Sequence, residues 1–357
     1  MEITIEKVAP EKMKAGPADE SGLGFGKIFT DHFFTMKYHS EKGWYDAAIG
    51  PYENLSLDPA VMCLHYGQEI FEGMKAYRGK NDSIYLFRPE DNLKRMNVSA
   101  ERLCMPDVDI DFVMGALKKL VLIEKDWIPH GSGTSLYIRP TMIATEPALG
   151  VHPSSEYLFY IIVGPVGAYY PQGFSPTRIY VSDEYVRSVR GGVGYCKAAG
   201  NYAASLYASK LACEMGYTQV LWLDALERKY IEEVGTSNIF FVICDDLITP
   251  PLTGSILSGI TRDSVIKIAT NWGINVSERQ LSISEIIEAS ADGRLKEVFA
   301  TGTAAVISPV GHIYYKGREH IVNSGETGPI AQRLYDEILQ IQYGEKNDPF
   351  GWRMKIS

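Results

Sequence analysis

The chain has 357 residues, 45% hydrophobic and 22% charged, with a formal net charge of −9. That length exceeds one ordinary core and calls for two domains at roughly 150 residues each, and the composition is that of a globular enzyme, not of a disordered or fibrous chain. The acidic balance and the lack of a Lys/Arg block exclude a nucleic-acid surface, and no apolar run approaches the roughly 20 residues that span a bilayer.

In chain order, residues 25–38 and 83–87 read as strands. A helix over 89–103 opens on Pro89 near its first turn. Val113, Leu117, Leu120 and Trp127 return to one face at helical spacing and predict a helix over 111–127. Residues 135–145 and 157–166 are β-rich. The segment 167–176, GAYYPQGFSP, has turn chemistry but is too aromatic for a flexible linker, so it reads as an ordered interdomain loop. Beyond it, 178–185 is a strand, 201–215 a helix closed by Gly216, and 219–223 and 238–244 strands. Helices follow over 261–272, 284–291 and 328–343. This gives two α/β domains, 1–166 and 178–357, joined by an interdomain loop at 167–177.

The N-terminal ten residues show no secretory h-region. The five cysteines, Cys63, Cys104, Cys196, Cys213 and Cys244, are dispersed without a C-x-x-C pair, which fits reduced thiols in the cytoplasm. No histidine cluster has metal-ligand spacing, so no metal is expected.

Four segments carry candidate chemistry. In GGVGYCKAAGN (191–201), small residues surround Lys197, so its amine is accessible to a bulky planar partner. A Schiff-base lysine needs that access, although a surface-loop lysine has the same local signature. In LSGITR (257–262), a helix start after Gly259 offers the amides of Ile260 and Thr261 to an anion; an ordinary capped helix start reads the same way. In TGTAA (301–305), Gly302 permits a turn whose amides can line a carboxylate or phosphate, or simply link two strands. In IEEVGTSN (231–238), two carboxylates end a strand. One can pair with a protonated ring nitrogen, or both can form a solvated edge.

Taken together and in this order, the segments resemble the branched-chain aminotransferases of the fold-type IV pyridoxal-phosphate enzymes. The likeness runs from FGKIFTDH at Phe25 to LQIQYG ending at Gly344. It includes LHYGQEIFEGMKAYRG, FRPEDNLKRM, SLYIRPTMIATEPALGV, GGVGYCKAAGNY, QVLWLDALERKYIEEVGTSNIFFV, ITPPLTGSILSGITRD and ATGTAAVISPV. The resemblance implies an α/β fold with pyridoxal 5′-phosphate at the interface of two domains. Lys197 would form the Schiff base, Tyr202 would hydrogen-bond the cofactor's phenolic oxygen, and Glu233 would pair with the pyridine nitrogen. Arg95, Ile260, Thr261 and Thr303 would hold the phosphate. The substrate would meet Phe25, Tyr66, Phe71, Tyr137 and Arg139, with the amides of Thr303 and Ala304 by its carboxylate, and Tyr169 and Tyr170 would lie in the loop that closes over it.

The implied reaction is ping-pong transamination of L-leucine, L-isoleucine and L-valine with 2-oxoglutarate. A D-amino-acid aminotransferase or an aminodeoxychorismate lyase is the alternative on the same fold. The partners expected are small molecules and a second copy in a homodimer, with no nucleic acid and no membrane. Where some animal relatives carry a redox-active C-x-x-C, this chain has Ala305 and Ser308, so no thiol switch is expected there.

Overall fold

The computed structural model describes every residue of the chain except Ala18, Ser21, Ala168, Tyr170, Pro171 and Gln172. The expectation for Tyr170 therefore lies outside the described residues. The backbone separates into two compact units, one of Met1–Pro171, Cys196–Ala199 and Leu339–Ser357, the other of Gln172–Tyr195 and Gly200–Ile338.

The first unit is built on a nine-stranded sheet. Its strands are β1 (Thr4–Ile5), β2 (His32–His39), β3 (Gly43–Pro51), β4 (Glu69–Phe71), β5 (Met74–Arg78), β6 (Ile84–Phe87), β7 (Ser135–Ala144), β8 (Glu156–Val166) and, last in the chain, β18 (Arg353–Lys355). The order is β1-β3-β2-β8-β7-β5-β6-β18, with β4 added on β7. Along β8, Tyr157, Phe159, Ile161 and Val163 are buried in alternation with half-buried neighbours, the period of two that sends successive side chains to opposite faces. Leu136, Ile138 and Met142 of β7 join them in one core. Helices α2 (Pro89–Arg102) and α3 (Ile110–Ile123) add Leu93, Met96, Leu117 and Leu120 to it. Tyr137, Arg139 and Thr141 consequently lie on the other face, opposite Gly164, Ile162 and Tyr160 in register.

The second unit also holds a nine-stranded sheet. It comprises β9 (Thr177–Ser182), β10 (Gln219–Leu223), β11 (Ile231–Val234), β12 (Asn238–Ile243), β13 (Asp246–Thr249), β14 (Val276–Glu278), β15 (Leu295–Gly302), β16 (Val306–Tyr315) and β17 (Arg318–Ile321). The order is β11-β10-β9-β16-β15-β12-β13-β14, with β17 on β16. Its core packs Ile179, Leu221, Ile239, Phe241 and Val298 against Ile283, Ile286 and Ala289 of α7 (Ile283–Ala291). The remaining helices are α1 (Met62–Tyr66), α4 (Ala199–Ala203), α5 (Leu206–Glu214), α6 (Ile260–Asn271) and α8 (Pro329–Gln342).

The helix predicted over 111–127 ends at Ile123, with Trp127 in a separate 3-10 turn over Lys125–Trp127, and the strand predicted over 178–185 ends at Ser182; two further predicted elements differ for local reasons. The strand predicted from residue 25 begins only at His32, because Gly24 and Gly26 take positive φ and break the extended backbone. The helix predicted over 201–215 is two helices, α4 and α5. At the break, the Ser205 hydroxyl donates to the Tyr202 carbonyl at 2.7 Å, a side-chain bond that competes with the helical ladder. Gly216 does close α5, at φ 82°, a conformation that favours glycine.

The turn that places β11 depends on one carboxylate. Asp224 accepts from the amides of Leu226 (3.1 Å), Glu227 (2.7 Å), Lys229 (2.9 Å) and Tyr230 (2.7 Å). Burial pushes its carboxyl up, but the four amides outweigh that and hold it below its ordinary value. A depressed native pKa stabilises the fold above the unfolded value, and the contribution is lost as pH falls through the native one. Asp224→Asn is expected to destabilise the protein by roughly 1–3 kcal/mol at pH 7, with the gap from wild type closing below about pH 4. Denaturant melts at pH 7 and pH 3.5 check this; an equal penalty at both would assign the effect to shape alone.

Candidate active site

Lys197 belongs to the first unit, and its backbone is tied on both sides. Its N–H donates to Ser99 Oγ on α2 at 2.9 Å. Its carbonyl accepts from the Phe71 N–H of β4 at 3.1 Å, and Ala198 bridges to Ile70. The lysine side chain is half-buried, with Nζ 5.1 Å from the centroid of the Phe71 ring.

Arg95 lies one helical turn before Ser99. Its Nε and Nη2 donate to Glu72 Oε1 and Oε2 at 2.7 and 2.9 Å, a bidentate grip on a carboxylate that is 0% exposed. Burial alone would raise the Glu72 carboxyl; Arg95, with Lys197 and Asn92, reverses this and holds it below its ordinary value.

On the outer face of β7, Arg139 Nη2 donates to the Tyr137 hydroxyl at 2.9 Å. Its guanidinium lies 4.5 Å from the Phe71 ring centroid and 5.2 Å from that of Tyr137, cation–π distances. The Phe25 ring meets Tyr137 and Tyr169 edge-on at 4.9 and 5.0 Å. Phe25, Phe71, Tyr137 and Arg139 thus form one wall. Arg139 Nε is buried and has no partner among the described residues. Glu69 is near enough to feel Arg139: burial raises its carboxyl and the guanidinium offsets part of the rise. Tyr66 stands apart from this wall, 41% exposed, with its ring against His65.

In the second unit, Glu232 and Glu233 are both buried, so β11 is no solvated edge. Glu233 is ion-paired with Arg187 and accepts from Asn238 Nδ2 at 3.2 Å. Glu232 goes elsewhere, accepting from the Ser255 hydroxyl at 2.5 Å; burial raises its carboxyl, and Ser255 and Arg187 offset part of that. Arg187 also donates to the Ser255 carbonyl at 2.5 Å.

Asn238 ties Glu233 to the segment before α6, donating to the Leu257 carbonyl at 2.9 Å. Gly259 caps α6 without a side chain, and Ile260 and Thr261 open the helix. Thr303 and Ala304 occupy the turn between β15 and β16. This is the strand-to-strand link of the simpler reading, and it is compatible with the other. Tyr202 lies in α4.

Sequence reasoning missed Glu72, Ser99, Arg187 and Asn238, the residues that hold the predicted ones. Lys75 was missed as well. It pairs with Tyr137 in register, and burial pushes its amine down to about 8.

Taken by itself, each unit carries groups that fit one part of pyridoxal phosphate. The first unit supplies a half-buried amine and a guanidinium. The second supplies a buried, ion-paired carboxylate and a helix start with no side-chain cap. The backbone approaches too closely there for a larger residue: a Cβ on Gly259 would come within 1.9 Å of Asn238 Oδ1, and one on Gly194 within 2.4 Å of the Ser255 carbonyl. A helix start that no side chain caps is what an anion site there requires.

Comparison with known proteins agrees with this chemistry. A family model described as amino-transferase class IV matches residues 69–313. Two Bacillus subtilis proteins, branched-chain-amino-acid aminotransferase 2 and branched-chain-amino-acid transaminase 1, are each 54% identical over 355 residues, 99% of this chain and 97% and 99% of theirs. Among solved structures, an Escherichia coli branched-chain amino acid aminotransferase aligns with TM-score 0.75 at 28% identity, over 90% of this chain and 99% of that one. A Thermobaculum terrenum branched-chain amino acid aminotransferase in its PLP-bound holo form aligns with TM-score 0.75 at 25% identity, over 93% and 100%. With a family match over more than half its length and relatives 54% identical over 99% of it, the chain belongs to the class IV aminotransferases, which work with pyridoxal phosphate.

Proposed function

We propose that this protein transfers the amino group of L-leucine, L-isoleucine and L-valine to 2-oxoglutarate, with pyridoxal phosphate as its cofactor. The observation that carries the reading is the tied backbone of Lys197, whose amine stands beside Phe71 in the unit that also holds the Arg139 wall. The relatives at 50–54% identity bear branched-chain names throughout, which disfavours a D-amino-acid aminotransferase or a lyase on the same fold.

When bound, the cofactor supplies an aldehyde that condenses with amines and a ring that draws off the electron pair left at the substrate's α-carbon. Lys197 supplies the amine that holds that aldehyde. When not engaged with the aldehyde, the Lys197 amine would serve as the base toward the substrate's α-carbon proton. Glu233, its carboxylate fixed by Arg187 and Asn238, would pair with the protonated ring nitrogen. Arg95, Thr261, Thr303 and the amide of Ile260 would hold the phosphate, and Tyr202 would donate to the phenolic oxygen. The amides of Thr303 and Ala304 receive the substrate carboxylate.

Phe25, Phe71 and Tyr137 give leucine, isoleucine and valine an apolar wall. Glutamate and 2-oxoglutarate bring a second carboxylate to the same wall, and Arg139 answers it through the buried Nε that has no partner among the described residues. Tyr66, exposed on α1, serves the partner copy of a homodimer in this reading. Among the described residues no helix is long and apolar enough to cross a membrane, and the five cysteines are free thiols, in keeping with a cytoplasmic enzyme.

Three outcomes test this reading. Borohydride reduction of the cofactor-loaded enzyme followed by peptide mapping should place the pyridoxyl group on Lys197, and Lys197→Ala should lose both label and turnover; a label on another lysine overturns the assignment. Glu233→Gln should lower kcat by about a hundred-fold or more with the cofactor still bound. Glu232→Gln, whose carboxyl serves Ser255, should lose less than about ten-fold; the reverse order would move the role to Glu232. Arg139→Met should cost the glutamate half-reaction about ten- to a hundred-fold in kcat/KM and the leucine half-reaction much less. Single-turnover measurements with each amino acid decide it, and equal losses would make Arg139 a support of the sheet.

A further inference from the structure

The groups around Lys197 close into a ring of contacts. The Phe71 N–H donates to the Lys197 carbonyl at 3.1 Å. The Lys197 N–H donates to Ser99 Oγ at 2.9 Å, and that hydroxyl donates to the Arg95 carbonyl at 3.2 Å. Arg95 grips Glu72, and Glu72 is covalently next to Phe71. The residue that completes the ring has no role in the chemistry above. Its carboxylate is 0% exposed and needs donors on both oxygens. Besides Arg95 it accepts from Asn92 Nδ2 at 2.8 Å and from the Gly73 N–H at 3.1 Å. Asn92, itself buried, also donates to the Gly73 carbonyl at 3.1 Å, which fixes its amide and so the carboxylate.

We infer that Glu72 is a positioning residue for the cofactor's phosphate: it sets the plane of the Arg95 guanidinium and joins that plane to the backbone carrying Lys197. The inference rests on the reading of Arg95 as a phosphate ligand. Charge alone argues the other way, since a carboxylate beside an arginine reserved for a dianion lowers the attraction the dianion meets. What Glu72 supplies is orientation. A guanidinium is a planar fork; held bidentately by Nε and Nη2, it turns its remaining Nη edge away from Glu72. A glutamine in that place keeps one acceptor but sets an NH2 group against an arginine N–H, so the fork cannot keep both bonds.

The test is equilibrium binding of pyridoxal phosphate and of pyridoxal, which lacks the phosphate, to the full-length chain after its cofactor has been stripped. Glu72→Gln is expected to raise Kd for pyridoxal phosphate about ten-fold while leaving Kd for pyridoxal within about two-fold. Asn92→Ala, which removes one support of Glu72 without changing charge, should act in the same direction and more weakly, and serves if Glu72→Gln does not fold. Arg95→Met should abolish most of the preference for the phosphorylated form. If it does not, the Arg95 reading fails and the role of Glu72 falls with it. If it does, but Glu72→Gln binds pyridoxal phosphate as tightly as wild type or more tightly, charge outweighs orientation and the inference about Glu72 alone is overturned. Equal weakening toward both compounds would also overturn it, by showing a general loss of structure.

Discussion

The backbone of Lys197 is held at both of its hydrogen-bonding groups, and the rest of the site is arranged around that constraint. A lysine meant to condense with an aldehyde has to be reachable, which calls for small neighbours; glycine-rich chain, however, loses much conformational freedom when ordered. The structure meets both demands by separating them. In the sequence, Gly191, Gly192, Gly194 and Gly200 put no bulky side chain next to the lysine in its own segment. Ser99, Phe71 and the Ile70–Ala198 bridge fix the peptide from outside the segment. Orientation of this kind is a large part of what an enzyme contributes to a reaction between two bound groups.

Two buried ion pairs recur with the same construction. In the first unit, Glu72 is met by Arg95 and by the amide of Asn92; in the second, Glu233 is met by Arg187 and by the amide of Asn238. Buried ion pairs are weak sources of stability, because leaving water costs both charges about what their attraction returns. Their contribution here is geometric. Each carboxylate is met by an arginine and by the side-chain amide of an asparagine, Glu72 by the Gly73 N–H as well, and these donors fix its plane. In the proposed reading the member of the pair that meets the cofactor differs: the arginine in one unit, the carboxylate in the other.

Chain order also conceals which groups act together. Residues 196–199 and the C-terminal segment from Leu339 pack with the first unit, although most of the chain between them packs with the second. Adjacent carboxylates Glu232 and Glu233 look equivalent as text. In β11 they point to opposite faces by the two-residue period, one toward Ser255 and the other toward Arg187 and Asn238.

Much of the framework was legible in the residues. Residues 219–223 form a strand with the bounds that periodicity predicts. The helices at 89, 111, 261, 284 and 328 start within a residue of where Pro89, the apolar spacing and the capping residues put them. Strands such as β3, β5 and β16 went unnamed because Gly43–Pro51, Met74–Arg78 and Val306–Tyr315 mix glycine, proline and charge, and only pairing with neighbours makes them strands. The candidate lysine, the helix start and the acidic strand end were legible because each is a local arrangement of small and charged residues. Their holders were not. Ser99, Glu72, Arg187 and Asn238 are ordinary residues in ordinary surroundings until the sheets bring them to their partners. Local sequence determined which groups are candidates for reactive or anion-binding chemistry, since that depends on residue type and the freedom of the adjoining backbone. Tertiary structure alone decided which polar groups left water and which donors met them there, because burial and hydrogen-bond distance are properties of packing between segments far apart in the chain.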